Sequence, residues 1–379
     1  MIPFNKPYLH GRELVYIAEA VARGKISGDG VFTQKCHEYF QNKYGFKKVL
    51  MTTSCTDALE MAAILLDIKP GDEVIAPSYT FVSTVNAFAL RGAKIVFADS
   101  CPEHPNIDPV QIEKLITPKT KAIVVVHYAG VACDMDAIMD IAHQHGIPVV
   151  EDAAQAIDSF YKNRPLGSIG TFGTFSFHET KNIISGEGGL LVINDESYIH
   201  RAEIIREKGT NRSSFFRGEI DKYGWVDVGS SFLPSDIIAA YLYAQLENME
   251  VIQARRKSIW MRYYNNLSVL SVNKKIKMPC VASYSTNNAH MFYFLCESLK
   301  QRTELIDFLK KENVHAVFHY LSLHSSEYYQ SKHTSRELPY ADLFSDRLVR
   351  LPLFYELTDE QVDFICEKVS SFLSMGGGF

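Results

Sequence analysis

A lysine follows an aromatic run in the segment Thr174-Phe175-Ser176-Phe177-His178-Glu179-Thr180-Lys181-Asn182. The glycine cluster Gly186-Glu187-Gly188-Gly189 comes next, and the acidic run Glu151-Asp152-Ala153-Ala154-Gln155 lies upstream. The apolar residues around these segments predict strands, so Asp152 ends one strand and Lys181 lies between two others. A solvated surface lysine is not expected between an aromatic run and a glycine cluster, and the segment therefore predicts a chemical site built on a sheet.

An acid at a strand end and a lysine between strands are the groups that a pyridoxal phosphate (PLP) enzyme needs. The lysine amine condenses with the cofactor aldehyde, and the carboxylate keeps the pyridine nitrogen protonated. Partial burial lowers the pKa of such a lysine far enough for it to act as a nucleophile and then to move protons. Each residue also has a simpler interpretation, Lys181 as a solvated charge and Asp152 as a helix N-cap. Glu151 points to the opposite face of an extended segment and is interpreted as structural or capping.

Short β-rich runs alternate with helical patterns between about residue 48 and residue 195. Strands are predicted near 49–51, 73–76, 94–98, 122–127 and 148–152, with helices near 57–66, 84–90 and 136–145. The alternation predicts an open α/β domain with a mostly parallel sheet and helices on both faces. Ligands of such sheets lie beyond the carboxyl ends of the strands. We expect four polar residues at these ends to share one site: Ser54, Ser78, His127 and Asp152.

The chain is long enough for two domains, which we place at residues 1–250 and 251–379. A long helical stretch is predicted over 235–267, and the boundary falls within it. Beyond it, a small α/β domain is predicted from a strand at 291–297, a helix at 302–312, a strand at 314–320 and a helix at 358–372. The segment 209–231 is rich in Gly, Ser and Arg, and a loop of this length is either functional or disordered.

Several residues are candidates for holding the cofactor. The segment Thr53-Ser54-Cys55-Thr56-Asp57 joins a strand to a helix and offers hydroxyls and free backbone N–H groups, which suit a phosphate, although Ser54 can also be a plain N-cap. Ser176 supplies another hydroxyl. Phe81 either stacks on a flat ring or belongs to the core, and Gln155 is placed to contact the ring or its hydroxyl.

The candidates for contact with a polar substrate are less specific. His127 follows the predicted strand at 122–126, and His319 and Tyr320 follow the run at 314–318. Each of them is equally compatible with a core or ring-stacking role. Arg212 lies in the polar loop, where it is either solvated or bound to a phosphate or carboxylate.

Composition and charge exclude several function classes. In a chain with 46% hydrophobic residues, no apolar run approaches the roughly 20 residues that cross a bilayer, and no signal-peptide pattern is visible, so we expect a cytoplasmic protein without membrane insertion. The seven cysteines contain no C-x-x-C pair, which argues against disulfides and a metal site. A net charge of −5 without a dense basic tract argues against nucleic acid as a partner.

Together these motifs resemble the sugar aminotransferases of the DegT/DnrJ/EryC1/StrS family. The resemblance extends through Pro77-Ser78-Tyr79-Thr80-Phe81, His127-Tyr128-Ala129-Gly130 and Gly229-Ser230-Ser231, and it covers nearly the whole chain. It implies an α/β enzyme of PLP fold type I, with a large domain around a mostly parallel sheet and a small C-terminal α/β domain. It also implies a homodimer whose two active sites lie at the subunit interface.

The resemblance further implies a role for each matching residue. Lys181 would bind the cofactor aldehyde and Asp152 the pyridine nitrogen. The remaining cofactor contacts would be Gln155 and Phe81 to the ring, and Ser54, Cys55 and Ser176 at the phosphate. Ser231 and Leu233 stand where many relatives have Asn and Arg, in the segment thought to reach the neighbouring subunit's phosphate, so the chain departs from the family pattern there.

Within the family, the segments 206–212 and 288–293 are similar to enterobacterial enzymes that form dTDP-4-amino-4,6-dideoxygalactose. This resemblance implies that L-glutamate converts PLP to pyridoxamine phosphate (PMP), and that the amine then passes to C4 of the dTDP-ketosugar dTDP-4-dehydro-6-deoxy-D-glucose. The product would serve a surface polysaccharide, the enterobacterial common antigen or lipopolysaccharide. The alternatives are a gluco-configured product, amination at C3, a sugar 3-dehydratase and a non-catalytic regulator. Lys181 argues against the dehydratases, which carry His at that position, and Lys181 with Asp152 argues against the regulator.

Overall fold

The computed structural model describes residues 1–273, 275–333 and 337–374. The α-helices, numbered in chain order, are α1 (Glu13–Ala22), α2 (Val31–Tyr44), α3 (Cys55–Leu65), α4 (Ser83–Ala89), α5 (Pro109–Leu115), α6 (Met135–His145), α7 (Ile199–Arg206), α8 (Arg212–Phe216), α9 (Asp236–Leu246), α10 (Met249–Val272), α11 (Leu299–Lys311), α12 (Pro339–Arg347) and α13 (Asp359–Ser374). The strands are β1 (Lys48–Thr52), β2 (Glu73–Pro77), β3 (Lys94–Ala98), β4 (Thr120–Val126), β5 (Val149–Asp152), β6 (Phe160–Tyr161), β7 (Arg164–Pro165), β8 (Phe172–Ser176), β9 (Gly189–Ile193), β10 (Phe292–Leu295), β11 (Val317–Phe318) and β12 (Leu348–Leu351).

A seven-stranded sheet of order β1-β9-β8-β5-β4-β2-β3 forms the centre of the larger part of the molecule. Strands β3, β2, β4, β5 and β8 pair in parallel, whereas β9 is antiparallel to both of its neighbours, β1 and β8. Every residue of β2, β5 and β9 is buried, as expected for strands that are covered on both faces. The predicted α/β class with a mostly parallel sheet is confirmed.

The helices of this part begin and end at signals present in the sequence. The hydroxyl of Ser54 accepts a hydrogen bond from the Asp57 N–H (3.1 Å) and caps α3, and the Asp134 carboxylate caps α6 in the same way. Helix α6 ends at Gly146, whose φ of 63° is the left-handed conformation that glycine adopts without strain. The predicted helix boundaries at these positions are therefore correct to within a few residues.

The long helix predicted over 235–267 is instead two helices, α9 and α10, with a break at Glu247 and Asn248. The side-chain amide of Asn248 bonds to the ring of His10 (2.9 Å) and to the Ala244 carbonyl (3.3 Å). Asparagine side chains that bond to the backbone compete with helix continuation, and this accounts for the break. The boundary predicted at residue 250 lies at the start of α10 and stays a prediction.

The C-terminal part contains a three-stranded antiparallel sheet of order β10-β12-β11. Helices α10 and α13 pack together, and the guanidinium of Arg262 bonds to both carboxylate oxygens of Asp363 (2.7 and 2.6 Å). Strands β10 and β11 and helices α11 and α13 match the two strands and the two helices predicted for this part, although β11 is only two residues long, while β12 was missed. None of the described helices is both long enough and apolar enough to span a bilayer.

Candidate active site

A cavity of about 580 Å³ lies at the carboxyl ends of the parallel strands and is closed on another side by β12 and the segment after β11. Most of the residues predicted from the sequence to form the site line this cavity: Ser54, Cys55, Phe81, Asp152, Gln155, Ser176, Lys181, His319 and Tyr320. The structure thus brings together residues that are separated by as much as two thirds of the chain. Among the described residues, no cluster of His, Cys, Asp and Glu is arranged to hold a metal ion.

Asp152 ends β5, and its carboxylate borders the cavity from a buried position. Oδ2 accepts a hydrogen bond from the Thr84 hydroxyl (2.7 Å), and Oδ1 accepts one from the Ala154 N–H (3.1 Å), which is the local capping interaction. Burial raises the pKa of Asp152, while these hydrogen bonds and the charge of Lys181 oppose the rise. A cationic N–H donor in the cavity stabilises a buried carboxylate whose pKa is raised in this way, and a protonated pyridine is such a donor.

Lys181 borders the same cavity from the loop between β8 and β9. The loop is closed by backbone hydrogen bonds from Lys181 to His178 (2.9 Å) and from Glu179 to Gly186 (3.0 Å). Burial lowers the pKa of Lys181, and the charge of Arg350 adds to the effect, whereas that of Asp152 opposes it. A lower pKa enlarges the neutral fraction of the amine, which is the form that attacks an aldehyde.

The first turn of α3 forms another wall of the cavity. The backbone N–H groups of Cys55 and Thr56 find no acceptor in the described part of the chain, as is usual for the first turn of a helix. The hydroxyls of Thr56 and Ser83 bond to each other (2.9 Å), and Ser176 lies on the same cavity. Free N–H groups with hydroxyls at the start of an eleven-residue helix form an anion site.

The glycine cluster after Lys181 has a specific packing role at this wall. A Cβ atom at Gly189 would collide with the backbone of Ser54 and Cys55. Only glycine therefore lets β9 approach the start of α3 so closely. Gly186 earlier in the cluster has a φ of 79°, which closes the lysine loop without strain.

Gln155 and Phe81 border the cavity in different ways. The side-chain oxygen of Gln155 accepts a hydrogen bond from the Ala129 N–H (2.6 Å), and its amide nitrogen donates to the Tyr320 hydroxyl (3.0 Å). The side chain of Phe81 is 55% exposed, and its ring centroid is 6.1 Å from that of Tyr320. An exposed aromatic side chain on a cavity is available to stack on a flat ring, in contrast to the core role that was the alternative.

His319 and Tyr320 form a stacked pair on the side of the cavity nearest the smaller sheet. Their ring centroids are 3.5 Å apart, and the Tyr128 hydroxyl lies 2.7 Å from Nδ1 of His319. Tyr320 has a φ of 51°, a left-handed conformation that is uncommon for an aromatic residue. Burial and the charge of Arg350 lower the pKa of His319 well below its usual range, so its ring is neutral at neutral pH.

His127 does not border the cavity, contrary to the prediction. Its ring is fully buried, Nε2 lies 2.9 Å from a carboxylate oxygen of Glu151, and Nδ1 accepts a hydrogen bond from the Cys133 N–H (3.2 Å). Both ring nitrogens are engaged inside the protein, on the side of β5 that faces away from Asp152. The core interpretation of His127 is the one that the structure supports.

Three further predicted residues lie away from the cavity. Ser78 is buried and bonds to Nδ1 of His324 (2.7 Å). Arg212 is exposed on α8, where its guanidinium lies over the Phe216 ring (5.0 Å to the centroid). Ser231 is exposed in the segment after α8. Because Arg212 and Ser231 do not border the cavity of their own chain, a role for either residue requires contact with a second subunit.

Sequence reasoning missed Thr84, His290 and Arg350, all of which line the cavity. Thr84 was assigned to a helix, and nothing in its neighbourhood signals the bond to Asp152. His290 bonds through Nδ1 to the side chain of Asn182 (2.9 Å), the residue that directly follows Lys181 in the sequence. Arg350 carried a usable signal, since a single cation within the apolar run 348–351 is unusual for a short buried strand.

The donors and acceptors of this cavity fit PLP. An amine of lowered pKa, a buried carboxylate and an anion site at a helix start match the aldehyde, the pyridine nitrogen and the phosphate of that cofactor. For the ring of the cofactor, Gln155 supplies a polar contact and Phe81 supplies an aromatic contact.

Comparisons with known proteins agree with this assignment. The model of the DegT/DnrJ/EryC1/StrS aminotransferase family matches residues 7–370. The spore coat polysaccharide biosynthesis protein SpsC of Bacillus subtilis (strain 168) is 34% identical over 377 residues, which are 97% of this chain and 96% of SpsC.

Solved structures of similar fold are also sugar aminotransferases or aminotransferases. TlmJ from Streptoalloteichus hindustanus, an aminotransferase, has a TM-score of 0.91 and 28% identity, with 99% of each chain covered. Spr1654 from Streptococcus pneumoniae, described as a sugar aminotransferase, has a TM-score of 0.92 and 26% identity in its PMP form, with 99% of this chain and 100% of that chain covered. Its PLP form has a TM-score of 0.90. The chain therefore belongs to the DegT/DnrJ/EryC1/StrS aminotransferase family and is a PLP-dependent sugar aminotransferase of fold type I, whose cofactor alternates between PLP and PMP.

Proposed function

We propose that this family member transfers the amino group of L-glutamate to C4 of dTDP-4-dehydro-6-deoxy-D-glucose and forms dTDP-4-amino-4,6-dideoxy-D-galactose. The observation that carries the transaminase part is the convergence of Lys181 and Asp152 on one cavity. The similarity to SpsC, which is named for polysaccharide biosynthesis, supports a product used in a surface polysaccharide, such as the enterobacterial common antigen or lipopolysaccharide. The choice of C4 and of the galacto configuration rests on the resemblance carried by residues 206–212 and 288–293.

The side chains of the cavity have separate roles in the reaction. PLP, when bound, supplies an electron sink that stabilises negative charge at the carbon that loses its proton. Asp152 would hold the protonated pyridine nitrogen, because its buried carboxylate borders the cavity and makes no ion pair with another described residue. Nζ of Lys181 removes the proton from Cα of glutamate in the first half-reaction and delivers a proton to C4 of the sugar in the second.

The remaining residues hold the reactants in place. Ser54, Ser176 and the first turn of α3 would hold the cofactor phosphate, and Gln155 and Phe81 would position the ring. His319 and Tyr320 form the wall that a bound sugar would meet, and the neutral imidazole of His319 can accept or donate a hydrogen bond to a sugar hydroxyl. Because the sugar is clamped on one side of Lys181, a single face of C4 receives the proton.

We further propose that the enzyme acts as a homodimer in the cytoplasm. The segment 209–233 exposes several large apolar side chains, among them Phe216 (68%), Tyr223 (51%) and Trp225 (82%), and such a set is typical of a buried interface. In a dimer this segment, with Arg212 and Ser231, would reach the cavity of the second subunit. Free thiols at all seven cysteines agree with a reducing compartment. Sedimentation at working concentration should find a dimer, and a fully active monomer would contradict the proposal.

Product analysis tests the substrate and the stereochemistry. The enzyme is incubated with L-glutamate and dTDP-4-dehydro-6-deoxy-D-glucose, and the product is examined by NMR. A small H3–H4 coupling constant identifies the galacto product with its axial amine. A large coupling means the gluco epimer, and nitrogen at C3 would reject the regiochemistry. A parallel incubation with Lys181→Ala controls for non-enzymatic amination.

A further inference from the structure

Arg350 is a half-buried cation that has no assigned role in the reaction described above. It lies on β12 between Tyr293 of β10 and Val317 of β11, and its side chain lines the cavity. Its Nε atom is buried without a hydrogen-bond partner. Within the described part of the chain, no carboxylate pairs with its guanidinium and no group accepts a hydrogen bond from it. This side chain is therefore an unsatisfied donor on the active-site cavity.

The two buried arginines of the described residues, Arg206 and Arg256, find acceptors within the protein. Arg206 also has an unpartnered Nε, but its terminal nitrogen donates to both carboxylate oxygens of Asp29 (2.6 Å each). Arg256 donates to the carbonyls of Ala289 (3.2 Å) and His290 (2.8 Å). A buried Nε–H without an acceptor costs free energy, and Arg350, unlike Arg206 and Arg256, has no acceptor among the described residues at its other nitrogens either, so the contrast indicates that the acceptor of Arg350 comes from outside the chain.

The groups around Arg350 leave its charge uncompensated. Burial lowers the pKa of Arg350, and the groups that oppose this effect are the phenols of Tyr128, Tyr320 and Tyr79. Burial raises the pKa of each of these phenols, so all three are neutral at neutral pH. An arginine remains charged under these conditions, and it therefore projects a positive field into the cavity.

The acids of the cavity are committed elsewhere. Asp152 bonds to Thr84 and Ala154, and it is the group that would hold the pyridine nitrogen. The other acid on the cavity, Glu187, is largely exposed and lies 3.6 Å from Nε2 of His178. Neither acid makes an ion pair with Arg350, so the cation is available to a ligand.

The surroundings of Arg350 also favour a planar acceptor. The ring of Phe4 covers one face of the guanidinium, with 4.7 Å between Cζ and the ring centroid. With a face covered, the N–H groups along the edge remain for a ligand, and that fork matches the two oxygens of a carboxylate. Arg350 and Lys181 line the same cavity, so a carboxylate held by Arg350 shares that cavity with the catalytic amine, and the charge of Arg350 also lowers the pKa of Lys181.

We propose that Arg350 binds a carboxylate of the amino donor and thereby places the donor's Cα beside Nζ of Lys181. The proposal rests on the proposed function in one respect, namely that the donor is an amino acid such as L-glutamate. The anion site at the start of α3 is available to the cofactor phosphate, so Arg350 is not required to bind that phosphate. The ketosugar carries no carboxylate, and Arg350 therefore serves the first half-reaction and is a specificity residue for the donor.

The two half-reactions of the holoenzyme separate this role from a structural one. In single-turnover experiments the Arg350→Met variant should lose about 100-fold in kcat/KM with L-glutamate, mainly through KM, because a charge-assisted bidentate contact is removed. The second half-reaction can be run in reverse with dTDP-4-amino-4,6-dideoxy-D-galactose, an amine without a carboxylate. Its kcat/KM should change by less than about threefold in the variant. Arg350→Lys keeps the charge without the fork and should lose about tenfold with L-glutamate only.

Binding measurements give a readout besides turnover. Glutarate, a dicarboxylate that cannot react, should raise the melting temperature of the wild-type holoenzyme and of Arg347→Met, a control at the nearby end of α12. The Arg350→Met variant should lose the glutarate effect and keep the stabilisation by dTDP. Unchanged glutarate binding in Arg350→Met would overturn the proposal.

Two other patterns would also overturn it. Equal losses in both half-reactions would make Arg350 a structural residue, and a loss confined to the nucleotide sugar would make it a diphosphate ligand. Failure of the sugar proposal gives a different result, because the wild type would then react with L-glutamate and bind glutarate while giving no product from the dTDP-ketosugar. If Arg350→Met does not fold, the same comparison is made with Arg350→Lys.

Discussion

Glu151 and Asp152 are adjacent on β5, yet their carboxylates have opposite environments. Glu151 is fully buried and accepts hydrogen bonds from the N–H groups of Gly167 (2.8 Å), Ile169 (2.7 Å) and Gly170 (2.6 Å), and it contacts His127. Among the residues that the structure describes, Asp152 accepts two hydrogen bonds, from Thr84 and Ala154, and it faces the cavity. Burial by itself raises the pKa of both acids, but the hydrogen bonds of Glu151 outweigh burial and lower its pKa, whereas the pKa of Asp152 stays raised.

The difference shows how one strand supplies both scaffold and chemistry. Side chains alternate between the two faces of a strand, so neighbouring residues experience different surroundings. On the Glu151 face, a saturated carboxylate ties β5 to the segment 167–170 and to His127. On the Asp152 face, unsatisfied charge is kept for a ligand. The predictions below follow from this division, in order of decreasing effect.

The largest effect is expected at the cavity face, from Lys181→Ala. No other residue of the cavity offers an amine, so turnover should fall below detection and the near-visible absorbance of the bound cofactor should be lost. Folding should be retained, because Nζ of Lys181 makes no hydrogen bond to the described residues. Absorbance spectra and circular dichroism of the purified variant check both points. Retention of turnover would break the assignment of this face to chemistry.

The second effect is expected from Asp152→Asn, which keeps the size of the side chain and removes its charge. Turnover should fall by roughly 10²–10³-fold, since the variant no longer stabilises the protonated pyridine nitrogen. Cofactor content, measured by absorbance after gel filtration, should fall much less. Near-normal turnover would mean that Asp152 is only a cap, and the two faces of β5 would then not differ in function.

The cofactor half of the site was predictable because its residues are close to strand ends in a single α/β unit. Lys181, Asp152 and Ser54 each follow a strand that the apolar pattern revealed, and the carboxyl ends of parallel strands meet at one edge. The prediction of His127 failed for a physical reason. A strand-end position does not fix which face a side chain occupies, and His127 turned to the buried side with Glu151.

The other half of the site depends on contacts that no local pattern records. Arg350 and His290 reach the cavity only through the pairing of β10 with β12, and β12 is a four-residue strand without alternation. His319 and Tyr320 were located by their position after an apolar run, but their stacked arrangement and the bond to Tyr128 depend on packing between distant segments. Sequence reasoning therefore described one wall of the cavity better than the other.

A third effect, on stability, is expected at the scaffold face from Glu151→Gln. One oxygen becomes an NH₂ group that faces N–H donors, so the free energy of unfolding should fall by about 3 kcal/mol. Turnover per folded molecule should change by less than about threefold, because the side chain does not border the cavity. Denaturant unfolding with active-site titration measures the two quantities separately. His127→Asn, which removes one partner of Glu151, is the matched variant and should also affect stability and not turnover.

The smallest effect is expected in cofactor-free protein, where the charge of Asp152 has no ligand to offset its burial. The pKa of Asp152 is raised by burial, so the folded chain holds this proton more tightly than the unfolded chain, whose aspartates titrate near about 3.9. Stability therefore falls as pH rises from that value through the raised folded pKa, and the loss persists above it. Asp152→Asn lacks this pH-dependent loss of stability. Without cofactor, its melting temperature should be roughly 2–4 °C above that of the wild type at neutral pH and equal to it near pH 4. For Glu151 the pH dependence of stability has the opposite sign. Its pKa is lowered in the folded chain, so it stabilises the fold at pH values above about 4.3, the pKa of a glutamate in the unfolded chain, and this stabilisation is lost as the pH falls. Melting curves of the cofactor-free proteins between pH 4 and 8 test both signs, and an Asp152→Asn variant less stable than wild type throughout this range would show that the two faces of β5 hold their carboxylates in the same way.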